Sequence, residues 1–247
     1  MLIVIHGGAA KSATPHVPLK LAGVKLAARV GYRVLASGGT AVEAVEAAVR
    51  SLEDDPIMNC GYGSSLTSAG TVECDAIVMD GRTMKSGAVA GVERVPHPIS
   101  LARAVMDSTD HCLMIGAGAE RLAQEVGIEL VDNQTLVHEF AQKRLNEFKT
   151  FQRTLIEDRP QTDDPSDHSH PTPGADNPVV KEHDTVGAVA VDREGNCAVA
   201  TSTGGITGKR VGRVGDSPII GAGGYADNTS GAVSTTGESL SLSLSLS

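Results

Sequence analysis

The feature that most constrains this chain is an abrupt change at residues 183–187. A polar, proline-rich run over residues 157–182 gives way directly to His183-Asp184-Thr185-Val186-Gly187, where an apolar stretch of strand character begins. The run holds five prolines between Pro160 and Pro178, too little apolar surface to pack, and reads as a flexible linker. Val186–Val191 and Cys197–Thr201, joined by Asp192-Arg193-Glu194-Gly195-Asn196, read as a hairpin. Threonine is a good strand former, and that alone accounts for most threonines at a strand start. A buried strand that opens on a hydroxyl residue just after a linker also sets that hydroxyl where a chain break would expose it as a new N-terminus.

Upstream, Leu2–Ile5 reads as a buried strand, followed by a glycine turn His6-Gly7-Gly8-Ala9-Ala10, with His6 a packed strand-end residue. Apolar spacing predicts a helix over Leu19–Ala36 closed by Gly38-Gly39. A second helix opens with the capping box Thr40/Glu43 and carries Val42, Val45, Ala48, Val49 and Leu52 on one face. It ends in Glu53-Asp54-Asp55-Pro56, where acids oppose the helix dipole and hint at a nearby cation, solvated surface acids being the commoner case. Strands are expected over Val72–Met79 and Gly87–Val92, and helices over Pro98–Asp107, Ala119–Val126 and Val137–Phe151. The end, Ser239–Ser247, alternates Ser and Leu and reads as a disordered low-complexity tail.

The chain's 247 residues suffice for a real core, and their net charge of −9 gives nucleic-acid binding no electrostatic support. No basic amphipathic helix or long apolar run indicates a membrane role, and the N-terminus lacks the pattern of a signal peptide. Cys60, Cys74, Cys112 and Cys197 are widely spaced with no CxxC, so reduced thiols and a cytoplasmic location are expected. His168 and His170 have no further ligands in sequence reach for a metal. Several glycine patterns mislead. Gly221-Ala222-Gly223-Gly224-Tyr225-Ala226 fits a dinucleotide fingerprint but runs into turn composition rather than a helix. Arg121 occupies the third glycine position after Gly116-Ala117-Gly118, and Arg210 the hydroxyl position of a phosphate loop at Thr203–Lys209.

Five stretches agree in order: Ile5-His6-Gly7-Gly8-Ala9; His183–Gly187; Thr201-Ser202-Thr203-Gly204-Gly205; Gly212-Arg213-Val214-Gly215-Asp216-Ser217-Pro218 with Gly221–Ala226; and Val233-Ser234-Thr235-Thr236-Gly237. Together they resemble the isoaspartyl peptidase/L-asparaginase family, plant-type members of the N-terminal-nucleophile hydrolases, over about residues 2–240. The resemblance implies an α/β (α+β) fold, a four-layer αββα sandwich within one domain, cut into an α chain of residues 1–184 and a β chain of residues 185–247. It implies self-cleavage between Asp184 and Thr185, with Thr185 as nucleophile and its new α-amine as base. Such an amine, with a reference pKa of about 7.7–8.0, suits proton transfer near neutral pH.

Position by position, the resemblance implies that Thr203 hydrogen-bonds and tunes the nucleophile. Arg213 grips the substrate α-carboxylate and Asp216 the α-ammonium, while Thr236 and Gly237 form an oxyanion hole and complete the substrate site. The loop Leu52–Asn59 resembles a sodium loop, with main-chain carbonyls of Leu52, Glu53, Met58 and Asn59 as ligands; no other cofactor is implied. The implied partners are small molecules, L-asparagine and β-aspartyl dipeptides, and the implied assembly is a dimer of αβ units.

The chain departs from the family in two places. Family members usually read Thr-Gly-His-Gly-Glu where Gly237 here meets Glu238 directly, and the family continues further, so a C-terminally truncated member with a distorted or exposed oxyanion-hole end is expected. Asp184 stands where many close relatives have glycine. The competing expectations are a catalytically inactive relative acting as an interaction or regulatory form, which would stay uncut, and, less supported, a nucleotide-binding protein.

Overall fold

A computed structural model describes residues 1–9, 16–157 and 184–237. The linker, His168, His170 and the Ser-Leu tail lie outside the described residues. In chain order the elements are β1 (Leu2–His6), α1 (Val17–Ala36), α2 (Ala41–Glu53), β2 (Cys74–Asp80), β3 (Ser86–Val92), α3 (Pro98–Ser108), β4 (Leu113–Ile115), α4 (Gly116–Glu125), α5 (Glu139–Glu157), β5 (Val186–Val191), β6 (Cys197–Thr203), β7 (Gly224–Asp227) and β8 (Gly231–Ser234).

Six strands form one sheet in the order β1-β5-β6-β2-β3-β4, antiparallel throughout except for the parallel pair β3–β4. β5 and β6, which follow Thr185, lie between β1 and β2, which precede it. A cut before Thr185 would therefore leave its two products interleaved through the sheet's hydrogen-bond ladders. Leu2 pairs Val191 and His6 pairs Gly187, and this register brings the start of the chain to the start of β5.

The helices α1, α2 and α3 cover one face. The valines and alanines of α2 (Val45, Ala48, Val49) pack with Val78, Ala188 and Ala200 of the sheet in one apolar core. Small side chains permit close helix–sheet approach, and Gly31 of α1 shows how close. A Cβ there would lie 2.3 Å from Ile3 Cδ1 and 2.8 Å from Ala44 O. The opposite sheet face carries a second cluster, Met79, Cys197, Val199 and Ala226, roofed by the β7–β8 hairpin. Among the described residues the layers are thus helix, six-stranded sheet and a two-stranded sheet, an α/β sandwich. Covered on both sides, β6 is buried along its whole length, which suits its mixture of small apolar and hydroxyl residues.

The capping box opens α2 as the sequence predicts: Thr40 Oγ1 accepts from Glu43 N at 3.3 Å, and Thr40 N donates to Glu43 Oε2 at 2.8 Å. The acids at its other end are not simply solvated. Glu53 is buried, 1% exposed, and its carboxyl accepts from Ile99 N (3.0 Å) and Ser202 Oγ (2.6 Å). It thereby supplies an acceptor at the N-terminus of α3, whose N-cap residue His97 makes no cap bond of its own. Burial pushes this carboxyl up to about 8, so it is protonated at neutral pH. Asp54 meets His97 at 2.8 Å, and Asp55 Oδ1 accepts from Ile57 N at 3.0 Å. The misfit with one helix dipole is resolved by the start of the next helix.

Candidate active site

Thr185 stands just before β5, where the residue is 7% exposed and its hydroxyl shares a 2.8 Å hydrogen bond with Ser217 Oγ. Ser217 is itself held in place, its carbonyl accepting from Thr201 Oγ1 at 2.8 Å. The peptide carbonyl just before Thr185 is gripped from two sides: Asp184 O accepts from Asn59 Nδ2 at 2.8 Å and from Thr203 Oγ1 at 3.1 Å. Two donors on a carbonyl oxygen stabilise negative charge that develops there, the requirement for an attack on that carbon. Asn59 is locked for the task. Its amide also donates to Gly205 O (2.6 Å), and its Oδ1 accepts from Ser65 N (2.7 Å).

The Asp184 carboxylate makes an ion pair with Lys20 of α1 and packs against the turn after β1. Gly8 takes φ +109° there, and a Cβ on it would stand 2.2 Å from Asp184 Oδ1. The glycine is required twice, by its backbone and by its neighbour. Gly8→Ala is expected to lower stability by about 1–3 kcal/mol and to displace Asp184. A thermal melt and the rate of any Asp184–Thr185 cleavage check this; unchanged values for both would refute it. His6 is a packed strand-end residue but sits close to the same place, its Nε2 2.6 Å from Ser234 Oγ. Burial pushes its imidazole down, although the main chain of Thr185 and the Asp184 charge pull the other way, so it stays neutral at pH 7.

A small cleft opens beside Thr185, and the predicted site residues converge on it: Asp184, Thr185, Thr203, Arg213, Asp216, Thr236 and Gly237 all line its wall. Arg213 and Asp216 are half-buried, and among the described residues neither side chain has a hydrogen-bonded or ion-paired protein partner. The guanidinium fits because Gly205 and Gly215 flank it, where a Cβ would stand 3.2 and 2.9 Å from Arg213 Nη1. Thr203 touches the carbonyl before Thr185 rather than the Thr185 hydroxyl, which is bonded to Ser217. Thr236 is half-buried and Gly237 exposed at the cleft edge.

Sequence reasoning passed over several residues of this site. Ser217 lies inside a quoted motif but had no assigned role. Asn59 enters through its side-chain amide, whereas only its carbonyl was considered. Glu73 and Asp75 flank Cys74 in an apolar strand. Both are buried, Glu73 accepting from Gly212 N (2.9 Å) and Asp75 from Gly215 N (3.4 Å). They anchor the loop that carries Arg213 and Asp216, and burial raises the Asp75 carboxyl. Buried Lys209 donates to Glu73 O at 2.7 Å. Two acids interrupting an otherwise apolar run was the available signal.

Main-chain carbonyls of the loop after α2 pack closely against its glycines. Met58 O, Pro56 O and Asp55 O stand 2.1, 2.8 and 2.9 Å from where a Gly63 Cβ would be, and Glu53 O stands 2.4 Å from a Gly61 Cβ. Leu52 O accepts from Asp55 N, Asp55 O from Met58 N, Met58 O from Cys60 N and Asn59 O from Gly204 N. Among the described residues no side-chain group of three His, Cys, Asp or Glu could hold a metal.

All four cysteines are free, Cys112 exposed and the others buried. No helix of the described residues is long and apolar enough to cross a membrane. An asparaginase family model matches residues 1–240. The chain is 46% identical over 243 residues to the isoaspartyl peptidase/L-asparaginase of Rattus norvegicus, covering 98% of this chain and 67% of the relative. It is 47% identical over 243 residues to that of Xenopus laevis (98% and 71%) and 45% identical over 242 residues to that of Homo sapiens (98% and 72%).

Proposed function

The chain belongs to the asparaginase family, and on that premise we propose that it is an amidohydrolase that releases L-aspartate from L-asparagine and β-aspartyl dipeptides. One observation carries the reading. The carbonyl of Asp184 is held by two fixed donors while the adjacent Thr185 hydroxyl, hydrogen-bonded to Ser217, faces the cleft shared with Arg213 and Asp216.

The first reaction is on the chain itself. Thr185 Oγ adds to the Asp184 carbonyl carbon, with Asn59 and Thr203 holding the oxyanion. The C–N bond then breaks, the hydroxyl proton passing to the freed Thr185 amine, and leaves an ester between Asp184 and Thr185. Water opens the ester, giving a carboxylate at Asp184 and a free threonine hydroxyl beside its own α-amine. This cut creates the α chain of residues 1–184 and the β chain of residues 185–247 from a single domain.

Hydrolysis repeats the same chemistry on a substrate. Arg213 binds the α-carboxylate bidentately and Asp216 the α-ammonium, which fixes the side-chain carbonyl over Thr185. The α-amine takes the hydroxyl proton and returns it to the leaving nitrogen, while Thr236 Oγ1 and Gly237 N hold the second oxyanion. Water then releases aspartate. A sodium ion on the main-chain carbonyls of Leu52, Glu53, Met58 and Asn59 belongs to the proposal, where it would stiffen the loop that carries Asn59. So do a cytoplasmic location, which suits the exposed thiol of Cys112, and a dimer of αβ units, checked by light scattering.

An intact-mass spectrum of purified protein held at neutral pH, followed by aspartate release from L-asparagine and a β-aspartyl dipeptide, tests the reading. Fragments 1–184 and 185–247 with turnover of either substrate are expected. A single uncut mass without turnover would reject it in favour of an inactive relative.

A further inference from the structure

Lys20 sits in the first turn of α1, 18% exposed, with its ammonium on the carboxylate of Asp184, which is 4% exposed. The two partners are anchored differently. Lys20 belongs to a helix packed on β1 and α2, whereas Asp184 is held by its bond to Thr185 and by the donors Asn59 and Thr203 on the carbonyl that the cut turns into a carboxylate. Once that bond is cut the acid can leave and the cation stays. A sheltered ammonium stripped of its counter-ion is costly, and a ligand carboxylate restores the balance.

The geometry gives such a ligand a definite origin. The acyl half of a substrate is directed toward Arg213 and Asp216. Its leaving nitrogen must come within about 3 Å of the Thr185 α-amine to collect a proton. That amine is the atom bonded to Asp184 in the uncut chain, so the leaving residue occupies the ground that Asp184 vacates. The Asp184 carboxylate lies four covalent bonds from the Thr185 nitrogen. One hydrogen bond plus the two bonds from an amino acid's nitrogen to its carboxylate span a similar reach. Of the other basic groups, Lys209 donates to Glu73 O, Arg213 is assigned the acyl half's α-carboxylate, and His6, whose imidazole burial pushes down, is bonded through Nε2 to Ser234 Oγ.

We propose that Lys20 is a specificity-determining residue, which takes the free α-carboxylate of the leaving amino acid of a β-aspartyl dipeptide in the position the Asp184 carboxylate holds before the cut. The inference rests on the hydrolase reading above and divides its two substrates. L-asparagine releases ammonia and offers Lys20 nothing to hold, whereas every β-aspartyl dipeptide with a free C-terminus offers a carboxylate.

The test compares wild type with Lys20→Met, each verified as cut by intact mass, on β-aspartyl-alanine, on its C-terminal amide, and on L-asparagine. Wild type is expected to favour the dipeptide over its amide by about tenfold or more in kcat/KM, the worth of one charge-assisted contact. In Lys20→Met that ratio should fall toward one, and the dipeptide should lose far more than L-asparagine. Lys20→Arg should retain most of the ratio. A ratio unchanged by Lys20→Met would mean that the lysine only holds Asp184 before the cut, and would overturn the inference. If Lys20→Met fails to fold or cut, the wild-type ratio decides: a value near one overturns the inference, and a large ratio kept by Lys20→Arg supports it. Wild type that works on L-asparagine yet ignores the carboxylate removes this inference alone. Wild type inactive on all three compounds removes the hydrolase reading and this inference together.

Discussion

Thr185→Ala is expected to leave one uncut chain and to abolish turnover, a loss on the order of a millionfold, as when a covalent nucleophile is removed. Both reactions assigned to the site run through the same oxygen, so no part of either survives its removal. The fold should tolerate the change. Among the described residues Thr185 Oγ1 has one hydrogen bond, to Ser217, and alanine leaves a small void just before a strand whose residues pack unchanged. Thr185→Ser keeps the hydroxyl and should still cut. The two variants, followed by intact mass and aspartate release, separate nucleophile from packing. Cleavage in Thr185→Ala would place the cut or its chemistry elsewhere.

Arg213→Ala is expected to lower kcat/KM for both L-asparagine and β-aspartyl dipeptides by about 10²- to 10³-fold while self-cleavage proceeds at its normal rate. The separation follows from position. The guanidinium lies against Gly205 and Gly215 on the cleft wall, whereas the Asp184 carbonyl takes its donors from Asn59 and Thr203. Among the described residues Arg213 has no hydrogen-bonded or ion-paired partner, and it is the smallest of the influences that favour the ionised Asp75 carboxyl, after Lys209 and the main chain of Gly91 and Gly215, so truncating it leaves that buried acid its stronger partners. The loss should therefore come from the substrate carboxylate rather than from stability. Arg213→Lys keeps the charge but not the planar fork and should recover only part of the activity. Initial rates with a melting curve for each variant check this; equal loss of cutting and of turnover would make Arg213 a structural residue instead.

Much of the scaffold was legible because its signals are local. The Thr40/Glu43 box fixes the start of α2 through contacts three residues apart. Pro98 can open α3 because a first-turn residue needs no N–H donor. The hairpin of β5 and β6 follows from two apolar runs around a Gly-Asn turn. Elements without a strong local signal were missed. β4 is three residues long and exists because Leu113–Ile115 finds the edge of β3. β7 and β8 were read as a glycine cluster and a turn, yet they pair across that turn and cover Met79 and Val199.

For the site, the sequence by itself named, through its resemblance to the family, the residues proposed to carry the chemistry: Thr185 after a linker, Arg213 and Asp216 in one short motif, and Thr203, Thr236 and Gly237 in theirs. Those proposals rest on motifs recognised in their order along the chain. Only the tertiary structure decided what meets what. Thr203 and Asn59 meet on the Asp184 carbonyl, Ser217 on the Thr185 hydroxyl and Lys20 on the Asp184 carboxylate. Glu53 turned from a surface acid into the buried acceptor for α3. Each is a contact across 19 to 164 positions of chain. Partners at such separations are chosen by sheet register and helix packing, which no local pattern encodes.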